Sequence, residues 1–473
     1  MTELAFHTIA ELAALLERGA VSAEELAQDA LLRLERDGGP LGALAALTPE
    51  RALAAARRAD RARARGASGP LLGIPYGAKD IIDVRGLPTT CGTAALADEI
   101  AAADAAVVTR LERAGAVLAG KLALAEAIGL LTRDPCSSLQ GPARNPWAPE
   151  RWAGGSSGGS GAAVAAGLLP AALGSETAGS IGSPAAWCGV TGVRPSYGVV
   201  SRRGVAPLAP TLDKVGVLGR SAQDCALVLD AISGRDRAEH ASSGPRVRHA
   251  QVVAQRAAVR GLRIGWSVSD VEQAAPVAQR ACLREALAAL RAVVAGPLVE
   301  GVALPEPFPY RETLDTIMGA EGAAAFSRLR DDGRLALVAD ERTRVFIEQA
   351  PISARDYLAA REARRELVAR IPSLFDACDV VVTTNFALPW PIPAIDVEWD
   401  PIPIRGGNTA MVWASNLTGL PAVFLPVGLA DGMPVGVQLV GPVGSDARVL
   451  ALATAFQEET TWHRLHPPIG APA

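Results

Sequence analysis

Residues 154 to 182 read GGSSGGSGAAVAAGLLPAALGSETAGSIG, two glycine-serine clusters around one alanine-, valine- and leucine-rich stretch. A Ser-Gly linker stays solvated, whereas each cluster here abuts a segment that must be buried. Both are therefore expected to fold against a core. Held that way, they gather backbone amides and hydroxyls around one small volume, which is the equipment of acyl transfer.

The rest of the chain sets limits. With 473 residues, 49% hydrophobic and 20% charged, it can bury a large core and is not disordered. A net charge of -4 with both signs interspersed leaves no electrostatic footprint for nucleic acid or an anionic membrane. The one basic run, Arg57, Arg58, Arg61, Arg63 and Arg65 with Asp60 inside it, reads as a solvated helix face. The start lacks a basic n-region and a continuous apolar h-region, and the longest uncharged apolar stretch, 161 to 174, is too short to span a bilayer. A cytoplasmic chain with no membrane segment is expected. Six dispersed cysteines with no C-x-x-C pair read as buried thiols in a reducing compartment, Cys188 among them as a packing residue.

Thr8 to Glu17 and Ser22 to Arg36 carry apolar residues at helical spacing, each opened by an N-capping Thr or Ser. Leu71 to Ala78, Gly115 to Ala119, Leu169 to Leu173 and Val380 to Thr383 read as short buried strands. The expected fold class is α/β, a central mixed β-sheet flanked by helices on both faces. Residues 1–473 are expected to form a single domain with a variable helical insertion at about 270–370. Arg235 to Arg260 reads as an exposed connection and proline-dense Leu388 to Pro403 as an irregular loop.

Three motifs compete for the first cluster. A P-loop needs Lys then Ser or Thr after its last glycine, and Ser160-Gly161-Ala162 offers neither. The glycines at 154, 155, 158, 159 and 161 do not fit a dinucleotide fingerprint. Gly154-Gly155-Ser156-Ser157-Gly158 matches the G-x-S-x-G elbow, but an elbow follows a strand, and the preceding NPWAPERWA, with two prolines, cannot be a central one. Histidine is also scarce as a base: of five, only His463 stands out, and its Trp462-His463-Arg464 setting reads as a terminal surface segment. Lysine is the alternative. Of 46 basic residues only Lys79, Lys121 and Lys214 are lysines, and a lysine, unlike an arginine, can be neutralised by burial. Lys79 ends an apolar run and precedes Asp80, so a desolvated base and a structural Lys79-Asp80 ion pair are both open.

Together these stretches resemble the amidase signature hydrolases. The residues that carry the resemblance are GIPYGAKDIIDVRGLPTTCGT (73 to 93), AGKLALAEAIG (119 to 129), the block 153 to 201, LDKVG (212 to 216) and NLTGLPAVFLPVGLADGMPVGVQLVGP (416 to 442). The resemblance implies a Ser-cisSer-Lys group of Ser180 as nucleophile, Ser156 as bridging cis-serine and Lys79 as base, the two serines standing 24 positions apart. Neutral Lys79 would take a proton from Ser156 as Ser156 takes one from Ser180 during attack. Backbone N–H groups of Thr177, Ala178, Gly179 and Ser180 would hold the oxyanion, and Ser157 and Ser175 would support the site or stabilise its turns. Many members read Asp-Thr-Gly-Gly-Ser-Ile-Arg where this chain has Glu176-Thr177-Ala178-Gly179-Ser180-Ile181-Gly182. The missing arginine removes a charge that could pair with residue 176 or anchor an anionic substrate, and Gly182 is expected to open space near the nucleophile.

The implied activity is hydrolysis of a carboxylic amide, extending to esters or carbamates, through an acyl-enzyme on Ser180, with no cofactor and no metal. The implied partner is a small-molecule amide, with no nucleic acid and no membrane, and a homodimer is left open. A glutamine-hydrolysing subunit of a transamidation complex is the alternative. Pocket walls are expected from Thr132 to Gln140, Trp187, Tyr310 to Phe326 and Trp390 to Trp413.

Overall fold

The computed structural model describes residues 4–131, 134–242, 250, 259–384 and 409–468. Both N-terminal helices form where the caps place them. Helix α1 (Ile9–Glu17) is opened by Thr8 and α2 (Ala23–Asp37) by Ser22, each in a capping box with the glutamate three residues on, Glu11 and Glu25. The basic run lies on α3 (Pro49–Ala64) as far as Arg63, and Arg65 is the residue that ends the helix. Arg57 and Arg58 reach out to Glu24 and Glu112, while Asp60 accepts from the backbone N–H groups of Ala23 and Glu24 at 2.7 and 3.1 Å. Asp60 thus satisfies two first-turn donors of α2 that the helix itself cannot.

The described residues hold thirteen strands: β1 (Leu44–Leu47), β2 (Pro75–Lys79), β3 (Val117–Leu122), β4 (Arg144–Asn145), β5 (Ala148–Trp152), β6 (Ala171–Glu176), β7 (Thr191–Arg194), β8 (Lys214–Gly219), β9 (Ile264–Trp266), β10 (Leu298–Glu300), β11 (Val380–Thr384), β12 (Ala422–Ala430) and β13 (Met433–Val440). Eleven make one mixed sheet in the order β1-β3-β2-β6-β8-β7-β12-β13-β11-β9-β10, while β4 and β5 pair separately. The NPWAPERWA segment is therefore a small hairpin off the main sheet, in keeping with its two prolines. β2 runs parallel to both β3 and β6, so Lys79 and Glu176, the last residues of β2 and β6, emerge at the same sheet edge. Carboxyl ends of parallel strands are where α/β sheets present ligand sites.

Helices flank this sheet. After α4 (Ala106–Arg113) come α5 (Gly158–Ala165) and α6 (Gly182–Cys188), both buried along their whole length, α5 beginning inside the first glycine-serine cluster and α6 at the end of the second. α7 (Ala222–Ile232) supplies Asp224, whose carboxylate accepts from Ile9 N–H at 2.8 Å and fastens α1 to the core. Between β9 and β11 lie α8 (Arg280–Val294), α9 (Tyr310–Ala325), α10 (Ser327–Asp331), α11 (Glu341–Gln349) and α12 (Ala354–Arg370). The start of α11 is tied to the body by buried Glu126, which accepts from Ala339 and Asp340 N–H at 2.8 and 2.7 Å. Toward the C-terminal end of the described residues lie α13 (Thr409–Thr418) and α14 (Asp446–Glu459). The proline-dense stretch 388–403 and most of the 235–260 connection lie outside the described residues. Among the described residues, no helix is long and apolar enough to cross a membrane.

Replacing Asp60 by alanine strands two N–H groups of α2. We expect a loss of about 1–2 kcal/mol, read as a lowered urea midpoint with an unchanged slope.

Candidate active site

Lys79 is fully buried, and its Nζ donates to Ser156 Oγ at 2.7 Å and to Ser175 Oγ at 2.9 Å. The ion pair with Asp80 that the sequence leaves open does not form. Asp80 instead meets Lys121 Nζ at 2.5 Å and accepts from the Thr90 hydroxyl, so the second lysine neutralises it and Lys79 faces hydroxyls. Burial pushes Lys79 down to about 7, against the opposing pull of Asp213 and Glu176. An amine poised there is neutral often enough at ordinary pH to accept a proton.

The two glycine-serine clusters meet at this lysine. The Gly155–Ser156 peptide bond is cis. Ser157 N–H donates to Ser180 C=O at 3.2 Å, and the Ser157 hydroxyl donates to Ser175 C=O at 3.2 Å while accepting from Ser175 N–H at 3.3 Å. Ser157 and Ser175 thus stitch the first cluster to β6, and Ser175 is also a direct partner of Lys79. Ser180 sits in the loop between β6 and α6, where Gly179 takes φ +110°, a conformation that L side chains rarely adopt. Among the described residues, no acceptor takes the backbone N–H groups of Ala178, Gly179 or Ser180, and the Ser156 and Ser180 hydroxyls are not bonded to each other.

Beneath the loop lies a buried charge cluster that the sequence does not announce. Glu176 pairs with Arg194 of β7 at 2.6 Å, both side chains wholly buried, and accepts from Asn416 Nδ2 at 3.0 Å. Burial raises the Glu176 carboxyl, but Arg194 and these hydrogen bonds outweigh it and hold the group below its ordinary value. The cation that pairs with Glu176 thus stands at 194 and not at 182. Nor does Gly182 open any space: a Cβ there would lie 2.7 Å from Phe424 Cε1, so the aromatic ring occupies the room a side chain would need. Asp213, the aspartate of LDKVG, accepts the Thr177 hydroxyl at 2.6 Å.

A cavity of about 250 Å³ opens beside Ser175 and Thr177, walled by Ile128, Val205, Ala206, Leu208, Asp213 and Lys214. Among the described residues, none of those expected to wall the pocket lines this cavity. Trp187 is packed edge-on against Trp152 at 5.9 Å, and Tyr310 and Trp413 border a separate open cleft. Residues 132–133 and 390–408 are outside the described set. His463 is buried in the turn after α14, where burial lowers it to about 4, and no contact joins it to Lys79. The Cys188 thiol donates to Ala153 C=O and burial pushes it up, consistent with packing.

An eleven-stranded mixed sheet with two glycine-serine loops closing over a buried lysine is the architecture of the amidase signature enzymes. The chain belongs to the Amidase family, whose model matches residues 25–450. It is 36% identical over 490 residues to a glutamyl-tRNA(Gln) amidotransferase subunit of Chromohalobacter salexigens, covering 98% of each chain. Among solved structures it resembles native peptide amidase from Stenotrophomonas maltophilia (30% identity, TM-score 0.85, 97% of this chain and 98% of that one). It also resembles a protein of a vestigial complex bearing on the origins of an s-triazine catabolic enzyme (32% identity, TM-score 0.84, 96% and 98% covered). These relatives correct one expectation. A partner set of a small amide alone, with no nucleic acid, does not stand when relatives of full length are amidotransferase subunits named for glutamyl-tRNA(Gln). Net charge misleads here because it reports a chain's own electrostatic footprint and carries no information about the assembly it joins.

Gly182→Ala should force Phe424 aside and destabilise the fold by about 1–3 kcal/mol. A denaturation midpoint equal to that of the wild type would show that the ring yields freely.

Proposed function

We propose that this chain breaks a carboxamide C–N bond through an acyl-enzyme on Ser180, and that it does so as the glutamine-hydrolysing subunit of a transamidation assembly. The observation that carries the chemistry is the 2.7 Å contact from buried Lys79 to Ser156. In this reading neutral Lys79 draws the Ser156 proton while Ser156 takes that of Ser180, whose oxygen attacks the carbonyl carbon. The Ser180–Ser156 hydrogen bond closes in the substrate complex, where such contacts tighten. The oxyanion settles against N–H groups of the 177–180 loop, Ser156 returns a proton to the leaving nitrogen, and water then releases the acyl group. Ser157 and Ser175 keep Ser156 and Lys79 in register.

The choice of substrate and setting is supported by the relatives named as amidotransferase subunits, matched over 97–99% of this chain. Ammonia freed from glutamine would pass to a partner protein that works on glutamyl-tRNA. Six free cysteines fit a cytoplasmic location. A second reading, a free-standing amidase, is favoured by the likeness to peptide amidase. Ammonia release from glutamine, assayed with the chain alone and with the other subunits of a glutamyl-tRNA(Gln) amidotransferase, separates the two. Stimulation of at least about tenfold by the partners is expected; efficient turnover of simple amides by the chain alone, unaffected by partners, would favour the second reading.

Ser180→Ala should leave no acyl adduct by intact-mass analysis, and Lys79→Ala should cut turnover by about 10²–10⁴-fold while the chain stays folded. Because the amine must be neutral to act and titrates near 7, the rate should climb from about pH 6 to 8 and level off above. An acid optimum would eliminate a lysine base.

A further inference from the structure

The loop from Thr177 to Ile181 is held by a carboxylate at each end, one fully buried and one half-buried. At its far end, Glu176 Oε2 reaches across the loop to accept from Ile181 and Gly182 N–H, both at 2.9 Å. Its Oε1 takes Arg194 Nη1 and Asn416 Nδ2, so all four lone-pair sites of the carboxylate are used. At the near end, Asp213 takes the Thr177 hydroxyl at 2.6 Å and is itself fixed by Leu208 and Ala209 N–H at 2.9 and 3.0 Å. Between these anchors the amides of 178, 179 and 180 stay unclaimed by the described protein. Donors fixed in advance, with no protein acceptor to surrender, are what an oxyanion hole needs.

Arg194 completes the frame from a place dictated by its neighbours. In the β7–β12 register, Ala422 lies opposite Arg194 and Phe424 opposite Gly192. The Phe424 ring fills the space above Gly182 and also stands 3.3 Å from where a Cβ of Gly192 would be. The Arg194 guanidinium lies 5.9 Å from the centre of that ring, with Nε donating to Leu420 C=O. With Phe424 in place, position 182 cannot house an arginine, and the cation that neutralises the carboxylate comes from β7.

We propose that Glu176 and Asp213 are positioning residues that frame the oxyanion loop from its two ends, with Arg194 as the cation of the frame. The proposal rests on the acyl-enzyme reading above, and neither carboxylate touches the reacting atoms.

Four single variants of the full chain test it against whichever amide the wild type turns over: Glu176→Gln, Thr177→Val, Arg194→Met and Arg194→Lys. Glu176→Gln and Thr177→Val should lower kcat by at least about 30-fold, a fraction of what an oxyanion donor supplies, with KM changed by less than about threefold. Affinity for a trifluoromethyl ketone matching the acyl group should fall in step with kcat/KM, and the pH midpoint set by Lys79 should not move. Arg194→Met should behave like Glu176→Gln, while Arg194→Lys recovers most of the activity. Thr177→Val is nearly isosteric and decides the matter if Glu176→Gln does not fold. An active wild type whose Thr177→Val and Glu176→Gln variants keep kcat and ketone affinity overturns the frame alone. A wild type never labelled at Ser180 overturns the acyl-enzyme reading, and the frame with it.

Discussion

An amine buried where no carboxylate touches it is the constraint on which the rest of this molecule turns. Desolvating an ammonium costs several kcal/mol unless it is paired or gives up its proton. Lys79 is pushed toward the second course, to about 7, because its neighbours on the sheet edge leave it without a carboxylate partner. Lys121 absorbs Asp80, the carboxylate next in sequence, and the hydroxyls of Ser156 and Ser175 take the N–H bonds of Lys79. The same feature sets the geometry: for Ser156 and Ser175 to reach Nζ, the first glycine-serine loop and strand β6 must both close over the end of β2.

The anionic side of the site is solved in the opposite way. Glu176 is as deeply buried as Lys79, yet it keeps its charge by full coordination, from one guanidinium, one amide side chain and two backbone donors. Two titratable groups at one sheet edge are thus pushed toward opposite charge states by their surroundings. That separation lets a readily neutralised amine and an ionised structural anion coexist in one buried volume, where an exposed pair would simply form a salt bridge.

Local signals in the sequence are legible because local chemistry fixes them. Thr8 and Ser22 announce their helices through side-chain bonds three residues away, and the alternation of helices with short apolar runs gives the α/β class. Strand ends are displaced, as with the run at Leu169 to Leu173 and β6 at Ala171–Glu176, because Ser175 and Glu176 look polar and are buried only through partners far along the chain. Arg194 lies 18 residues from Glu176 and Asn416 lies 240, so no spacing rule joins them. The empty space anticipated at Gly182 is absent for the same reason: the ring that fills it comes from β12. The family resemblance names Lys79, Ser156 and Ser180; the ion pair that frees Lys79 is a matter of tertiary packing.

One feature of composition acquires a different meaning in three dimensions. The chain has three lysines, and Lys79, Lys121 and Lys214 are all buried, at 0%, 0% and 3% exposure. Every side-chain cation at the surface is therefore an arginine or a histidine. Apart from its α-amino group, the native fold offers almost nothing to amine-directed chemistry, so acylating labels, lysine cross-linkers and lysine-acetylating enzymes would meet a nearly inert surface. Any lysine that does become reactive in such an experiment reports opening of the interior around the site.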